Sequence, residues 1–215
     1  MYNPPHFEET RVEVMHGLMR AAPLATLVAL AADGLFANHL PLELDADPAP
    51  YGTLRGHVSR ANRFWRDASS TSFDTLVIFE GPRAYVSPTW YASKEETGRV
   101  TPQWNYVVVH AYGRPRFIED RAWLEAHVTR LTNQHEVNRP APWRVSDAPH
   151  DYIERLLGNI VGFELPITKM VGKWKLSQNR SAPDREGVAA GLRAAGDQVS
   201  IAMADLMTPF MMRQS

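Results

Sequence analysis

The stretch 103–118 alternates through its middle: Trp104, Tyr106, Val108, His110 and Tyr112 fall on one side of an extended chain, and Val107, Val109 and Ala111 on the other. Successive side chains of a strand point to opposite faces. A strand that carries rings on one face and aliphatic residues on the other needs cover on both. A small barrel or a subunit interface provides that cover. No other segment narrows the fold as much.

The remaining segments fit around it. Residues 7–22 read as a helix with Val12, Met15, Leu18 and Met19 on one stripe, stopped by Pro23. Two strands, 24–30 and 35–44, flank a tight turn at Asp33-Gly34, and the proline-bearing 45–52 is a loop. A third strand covers 53–58 and a short helix 60–67. A fourth strand runs from 76 to 87 with a bend at Gly81-Pro82, and 88–102 is expected to be a mobile loop of functional length. Residues 119–136 form the clearest helix, with Asp120 as its cap and Trp123, Leu124, His127, Val128 and Leu131 as its stripe. A linker, 141–149, precedes a short helix over 150–157 that Gly158 stops. Two closing strands, 160–167 and 169–176, lead to a helical tail after Pro183. Mostly antiparallel strands with inserted helices predict an α+β fold on a small barrel, not a doubly wound sheet. The expected organisation is one domain over 1–182, with 183–215 as a helical extension packed on it.

Composition closes several routes. The 215 residues include no cysteine, which rules out thiol catalysis, disulfides and thiolate metal sites. The formal net charge is −1, without the basic excess usual for a nucleic-acid binder. The opening Met1-Tyr2-Asn3-Pro4-Pro5-His6 lacks a basic region followed by an apolar run, so a cytoplasmic location is expected. The apolar stretch 21–32 is interrupted and too short to span a bilayer.

Arg55 and His57 lie two apart on the third strand and share a face, and the following turn adds Ser59, Arg60 and Asn62. Converging cations, hydroxyl and amide donors and turn N–H groups are what a phosphate dianion needs. A solvated strand end with an Arg–carboxylate pair reads equally well. In Gly172-Lys173-Trp174-Lys175-Leu176-Ser177-Gln178-Asn179-Arg180, Lys173 and Lys175 share one face and Trp174 and Leu176 the other. Ring surface with donors at its edge suits a flat, electron-poor heterocycle; an exposed basic strand end with Trp174 in the core is the alternative. Rings also cluster at Trp90-Tyr91 and at Trp104-Asn105-Tyr106, as core, cofactor wall or interface. His39, His57 and His110 fall on strands far apart in sequence, and His135-Glu136 lacks the second histidine of a zincin, so no metal site is expected. Gly-x-Ser-x-Gly, Gly-x-Gly-x-x-Gly and P-loop patterns do not occur. A phosphorylated cofactor would therefore need a strand-and-turn site.

Several of these segments, in this order, resemble the PaiB-type FMN-binding negative transcriptional regulators. They are Met1-Tyr2 with Pro5-His6-Phe7, His39-Leu40-Pro41, Leu54-Arg55-Gly56-His57-Val58 with Arg60-Ala61-Asn62, Ile78-Phe79-Glu80-Gly81-Pro82, Tyr85-Val86-Ser87-Pro88 with Trp90-Tyr91, Trp104-Asn105-Tyr106, and the 172–180 run. The resemblance implies an antiparallel split β-barrel, similar to pyridoxamine-phosphate oxidase, with peripheral helices. It also implies a homodimer with FMN in a groove between subunits. On that basis Arg55, His57, Ser59, Arg60 and Asn62 would hold the phosphate, and Asn38 and His39 would lie beside the ring. Trp104, Lys173, Trp174, Lys175 and Gln178 would face the flavin, the closing strand doing so from the partner subunit. Ser59 stands where the family often has Ala, and Arg63-Phe64 where it has Pro-Gln; neither change removes a cation. The family label implies a transcriptional repressor. An FMN-dependent oxidoreductase is the alternative, and a haem or flavin binder a third reading.

Overall fold

A computed structural model describes residues 1–68 and 73–212. Its nine strands are β1 (Glu8–Glu9), β2 (Leu24–Ala31), β3 (Gly34–Pro41), β4 (Glu43–Asp45), β5 (Thr53–Ser59), β6 (Thr75–Val86), β7 (Gln103–Gly113), β8 (Arg116–Ile118) and β9 (Ile160–Lys175). Its seven α-helices are α1 (Val12–Ala21), α2 (Phe64–Asp67), α3 (Ser93–Thr97), α4 (Arg121–Glu136), α5 (His150–Leu157), α6 (Ala182–Ala195) and α7 (Gln198–Met212). The strands form one antiparallel sheet in the order β3-β2-β6-β7-β9-β5-β4, with β1 and β8 pairing on β9. The chain divides into two compact units. One holds 19–79 and 110–170, the other 1–18, 80–109 and 171–215.

The first unit is built on a hairpin and a ring cluster. β2 and β3 pair from Leu24↔Pro41 to Ala31↔Gly34, so the connecting loop is Ala32-Asp33. Gly34 has φ +122°, a conformation that side chains resist, which fits glycine at this corner. Phe64 meets Phe117 and Phe163 edge to face with centroids 5.2 and 5.5 Å apart, Phe117 and Phe163 are tilted at 6.3 Å, and Leu27, Leu54 and Leu165 are fully buried in the same unit. Each such side chain contributes about 1.5–3 kcal/mol on burial. β5 lies between β4 and β9, in register Leu54↔Leu165 and His57↔Gly162. Asp120 Oδ1 accepts from the Trp123 N–H at 2.8 Å and starts α4, whose buried face is Leu124, His127 and Leu131.

The second unit packs helices α6 and α7 through Val188, Leu192, Met203 and Met207, all essentially without exposure. Gly187 and Gly191 of α6 let Trp90 lie against the helix; a Cβ at Gly191 would stand 2.3 Å from the indole. β1 pairs with the end of β9, Glu8↔Lys173 and Glu9↔Gly172.

Four expectations are corrected. The helix expected over 7–22 starts at Val12, because Pro5–Phe7 is a 3₁₀ turn and Glu8–Glu9 pairs with β9. The long strand over 103–118 stops at Gly113; Pro115 follows, and β8 is a separate short strand on β9. The closing strands over 160–176 are one strand, the longest among the described residues, with Pro166 accommodated opposite Thr53. The loop 88–102 contains a 3₁₀ turn at Pro88–Trp90 and helix α3, where Ser93 donates from N and Oγ to the Asp184 carboxylate at 2.9 Å each. The expected bend at Gly81-Pro82 lies inside β6; a Cβ at Gly81 would stand 2.4 Å from Val107, so the glycine serves packing. Among the described residues, no helix is long and apolar enough to cross a membrane.

Candidate functional site

Within the unit of 19–79 and 110–170, the ends of β3 and β5 open onto a cavity of about 580 Å³. Leu40, Pro41 and Val58 form its strand wall, and Val128, Ile153, Leu156 and Leu157 its helical wall, with Trp143 added from the segment between α4 and α5. The polar groups in the lining are His57, Ser59, Asn62, Thr132 and Asn159; no Lys or Arg is among them. A mostly apolar cavity with a few placed polar groups is the usual form of a small-molecule site.

The sequence-predicted residues of this unit separate into two groups. His57, Ser59 and Asn62 line the cavity. Asn62 Nδ2 donates to Asn38 Oδ1 at 2.7 Å, which ties the turn to β3. Asn38 Nδ2 is buried and has no hydrogen-bond partner. Arg60 is beside the lining: Nε donates to the Gly158 carbonyl at 3.2 Å and Nη1 to Glu119. Asn38, Arg55 and His39 are not in the lining, and Asn38 reaches it through Asn62. Arg55 is held by Asp45 at 2.8 Å and Glu164 at 3.1 Å, and Glu164 also takes Arg116 at 3.0 Å. Burial works against its charge, but Glu164 and Asp45 outweigh burial and keep the guanidinium protonated. The Arg–carboxylate pair weighed from sequence is thus present. His39 is exposed on the opposite face of β3 from Asn38, with Nδ1 3.1 Å from Thr26 Oγ1.

Behind His57 stands a pair of residues that no sequence pattern marked as functional. His57 Nδ1 lies 3.2 Å from His127 Nε2. Glu43 Oε2 is 3.5 Å from His127 Nδ1, a long contact, and Arg130 holds Glu43 at 2.9 Å. Trp123 stacks on His127 with centroids 5.1 Å apart. Burial, then the neighbouring His127, push His57 down to about 4, so its ring is neutral at pH 7. Burial opposes the charge of Glu43, yet His127 and Arg130 hold its carboxyl below the ordinary range. His127 sits at an apolar-stripe position of α4, which hid it. Glu43 offered no signal, since strand pairing brings it to β5.

The other unit collects the second predicted cluster. Lys173 Nζ donates to the Tyr2 carbonyl at 3.1 Å and lies 5.4–5.9 Å from the rings of Tyr2, Phe7 and Tyr106. Lys175 Nζ donates to the Trp104 carbonyl at 2.7 Å. Burial, then Lys173 and Arg180, lower its pKa. Both ammonium groups thus hydrogen-bond to neutral carbonyls. Trp104 is 55% exposed and meets Tyr85 edge to face at 5.9 Å. Trp174 is buried in the core. Gln178 spends its amide on the backbone, accepting from Leu176 N at 2.7 Å and donating to Trp174 O at 2.5 Å. It holds the turn at Ser177, a buried residue at φ +64°.

A wider cavity, about 770 Å³, lies between α4 and residues 142–153, where Glu136 accepts from the Trp143 N–H at 3.0 Å.

Residues 1–169 match the family described as "Putative FMN-binding domain". The chain belongs to this PaiB-type FMN-binding family. It is 30% identical over 214 residues to protease synthase and sporulation protein PAI 2 of Bacillus subtilis, with both chains covered completely. An uncharacterised protein of Aspergillus fumigatus is 33% identical over 248 residues, covering 95% of each chain. Among solved structures, the FAD and heme binding protein from Mycobacterium smegmatis superposes with a TM-score of 0.59 at 17% identity, over 86% of this chain and 80% of that one. The flavocytochrome Anf3 from Azotobacter vinelandii gives 0.57 at 15%, over 78% and 69%. The fold of this PaiB-type chain is the antiparallel split barrel, with its sheet not closed. The cofactor of the family is FMN.

Proposed function

We propose that this chain holds FMN in the cavity at the ends of β3 and β5, in a groove that a second copy completes. One observation carries the reading: Asn38 Nδ2 is buried without a partner, beside an Asn62 that lines the cavity. Leaving a buried donor unmade costs about 1–3 kcal/mol. A flavin carbonyl oxygen would meet that donor. The apolar walls suit the two faces of the isoalloxazine ring. The dianionic phosphate does not fit the cavity interior, where no cation stands. It fits the turn at the rim, with Ser59 and Asn62 as donors and Arg60 as the charge. Exposed Trp104 with Lys175 offers ring surface and a cation whose hydrogen-bond acceptor is a neutral carbonyl, and we assign the pair to the flavin edge from the second copy, with the buried Lys173 behind them.

Bound FMN supplies one- and two-electron redox chemistry. The residues of this chain bind and orient it, and Leu40, Val58, Val128, Trp143 and Leu157 keep water from it. As a PaiB-type protein the chain would regulate through flavin occupancy. An oxidoreductase reading gains support from the neutral His57 in the wall, a group that can take a proton at pH 7. Titrating apoprotein with FMN tests the binding, and adding a reduced nicotinamide without oxygen separates the two roles. Bleaching of the visible flavin band supports the enzyme; an unchanged band across donors leaves the regulator.

A further inference from the structure

Two arginines in the unit of 1–18, 80–109 and 171–215 form no ion pair among the described residues. Arg185, on α6, is only 6% exposed. Its Nη1 donates to the Arg180 carbonyl at 2.7 Å, and its Nε is buried without a hydrogen bond. The Arg180 guanidinium lies over the Tyr91 ring at 4.9 Å, and its Nε is also buried and unbonded. Tyr91 is 2% exposed, and its hydroxyl stands close to Gln103 and Arg180 but bonds to neither. Burial holds the phenol above its ordinary range, so it remains a donor at pH 7. Asp184 feels the charge of Arg180, yet its two oxygens accept from Ser93 N and Oγ. Lys175 feels Arg180 as a like charge. The turn that presents Arg180 is fixed: Arg180 N donates to the Ser177 carbonyl at 3.0 Å, Ser177 holds φ +64°, and Gln178 clamps the strand end. Buried charges in folded proteins are paired, and a guanidinium cannot become neutral by losing its proton. The counter-charge for this cluster therefore comes from outside the chain.

We propose that Arg180, Arg185 and the Tyr91 hydroxyl form a site for an oxyanion, the carboxylate or phosphate group of a second ligand, with Lys175 adding to the positive field. Guanidinium forks match the paired oxygens of these groups, whereas a spherical halide offers only one centre. None of the three residues is assigned to FMN above, so the inference goes beyond the flavin reading and does not depend on it.

The test uses the full chain, with and without FMN, and two probes, inorganic phosphate and benzoate, at an ionic strength held constant with chloride. At least one probe is expected to bind and to raise the melting temperature above that in chloride alone. Phosphate alone, benzoate alone or both each supports the site and names the group it takes. Arg180→Gln is expected to weaken the probe by about tenfold, the loss of a charge-assisted contact. Tyr91→Phe keeps the ring beneath Arg180 and removes an unbonded buried hydroxyl. It is expected to leave the melting temperature in chloride unchanged or higher while weakening the probe, a split that a purely structural tyrosine would not give. Neither probe binding better than chloride, or binding unchanged in both variants, would overturn the proposal. So would phosphate binding that is lost in Arg60→Gln but kept in Arg180→Gln, or a probe that FMN displaces, since the flavin phosphate would then fill the site. The wild-type measurements decide the matter if a variant fails to fold. A chain that takes a probe through Arg180 but binds no FMN would overturn the flavin reading and leave this one standing.

Discussion

His57 enters the cavity wall as a neutral ring, and this has a measurable effect on stability. Its folded pKa of about 4 lies below the ordinary 6.5, so the unfolded chain takes up the proton first as pH falls. The stabilisation is complete above pH 6.5 and is lost between there and pH 4. Between pH 7 and 5 the loss should be about 2 kcal/mol. His110, held down by burial, adds in the same direction, and Glu43 adds its share only below its ordinary 4.5. Urea midpoints across this range check the slope, which His57→Phe should flatten. Arg55 behaves differently. Removing it leaves Asp45 and Glu164 half-buried without their shared cation, so Arg55→Ala should lower stability by about 1–3 kcal/mol. The same variant should leave FMN affinity within about threefold, read by urea unfolding and FMN titration. The residue scale is also where sequence reading ran short. Alternation put Arg55 and His57 on one face, but it could not show that strand pairing sets Glu164 opposite Arg55, or that α4 brings His127 to His57.

At the scale of elements, the pairing of β5 with β9 and the docking of α4 depend on a missing side chain. Gly162 lies opposite His57, and a Cβ there would stand 2.2 Å from the Trp123 ring and 3.0 Å from Leu124. Trp123 in turn stacks on His127. Gly162→Ala should therefore cost about 1–3 kcal/mol and move the His57 and His127 ring resonances, seen by thermal melting and NMR. Helices α4 and α5 were legible because caps and apolar stripes are local signals; α5 over His150–Leu157 and the Asp120 cap match the reading. Strand continuity was not legible. A proline or glycine within a pattern suggests a break, yet β6 passes Gly81-Pro82 and β9 passes Pro166, because a missing Cβ or N–H is tolerable wherever the neighbouring chain does not need it. Pro115 did break its strand, and the sequence alone does not distinguish these cases.

As a whole molecule, the protein should gain FMN and a second copy together, without direct affinity for duplex DNA. The formal net charge of −1 gives no sequence-independent attraction to phosphates. Binding to a duplex at 50 mM salt should be no tighter than that of a neutral control protein, and a steep salt dependence would count against this expectation. Sedimentation should show a dimer. Lys175→Met should weaken FMN by about 1.5–3 kcal/mol, the loss of a charge-assisted contact, if the second copy supplies that group. The split-barrel class and the family followed from several segments in the right order, each with its own chemistry. The cavity itself did not, since residues from β3, β5, α4, α5 and the 142–149 segment build it and no one of these carries its signature. The most direct test is an FMN titration of Asn38→Ala beside wild type. Removing the side chain also breaks the 2.7 Å bond that Oδ1 accepts from Asn62, so stability should fall by about 0.5–1.5 kcal/mol, and FMN should weaken by about tenfold, a loss of about 1.4 kcal/mol; an Asn38→Ala chain that binds FMN as tightly as wild type would contradict the flavin site described here.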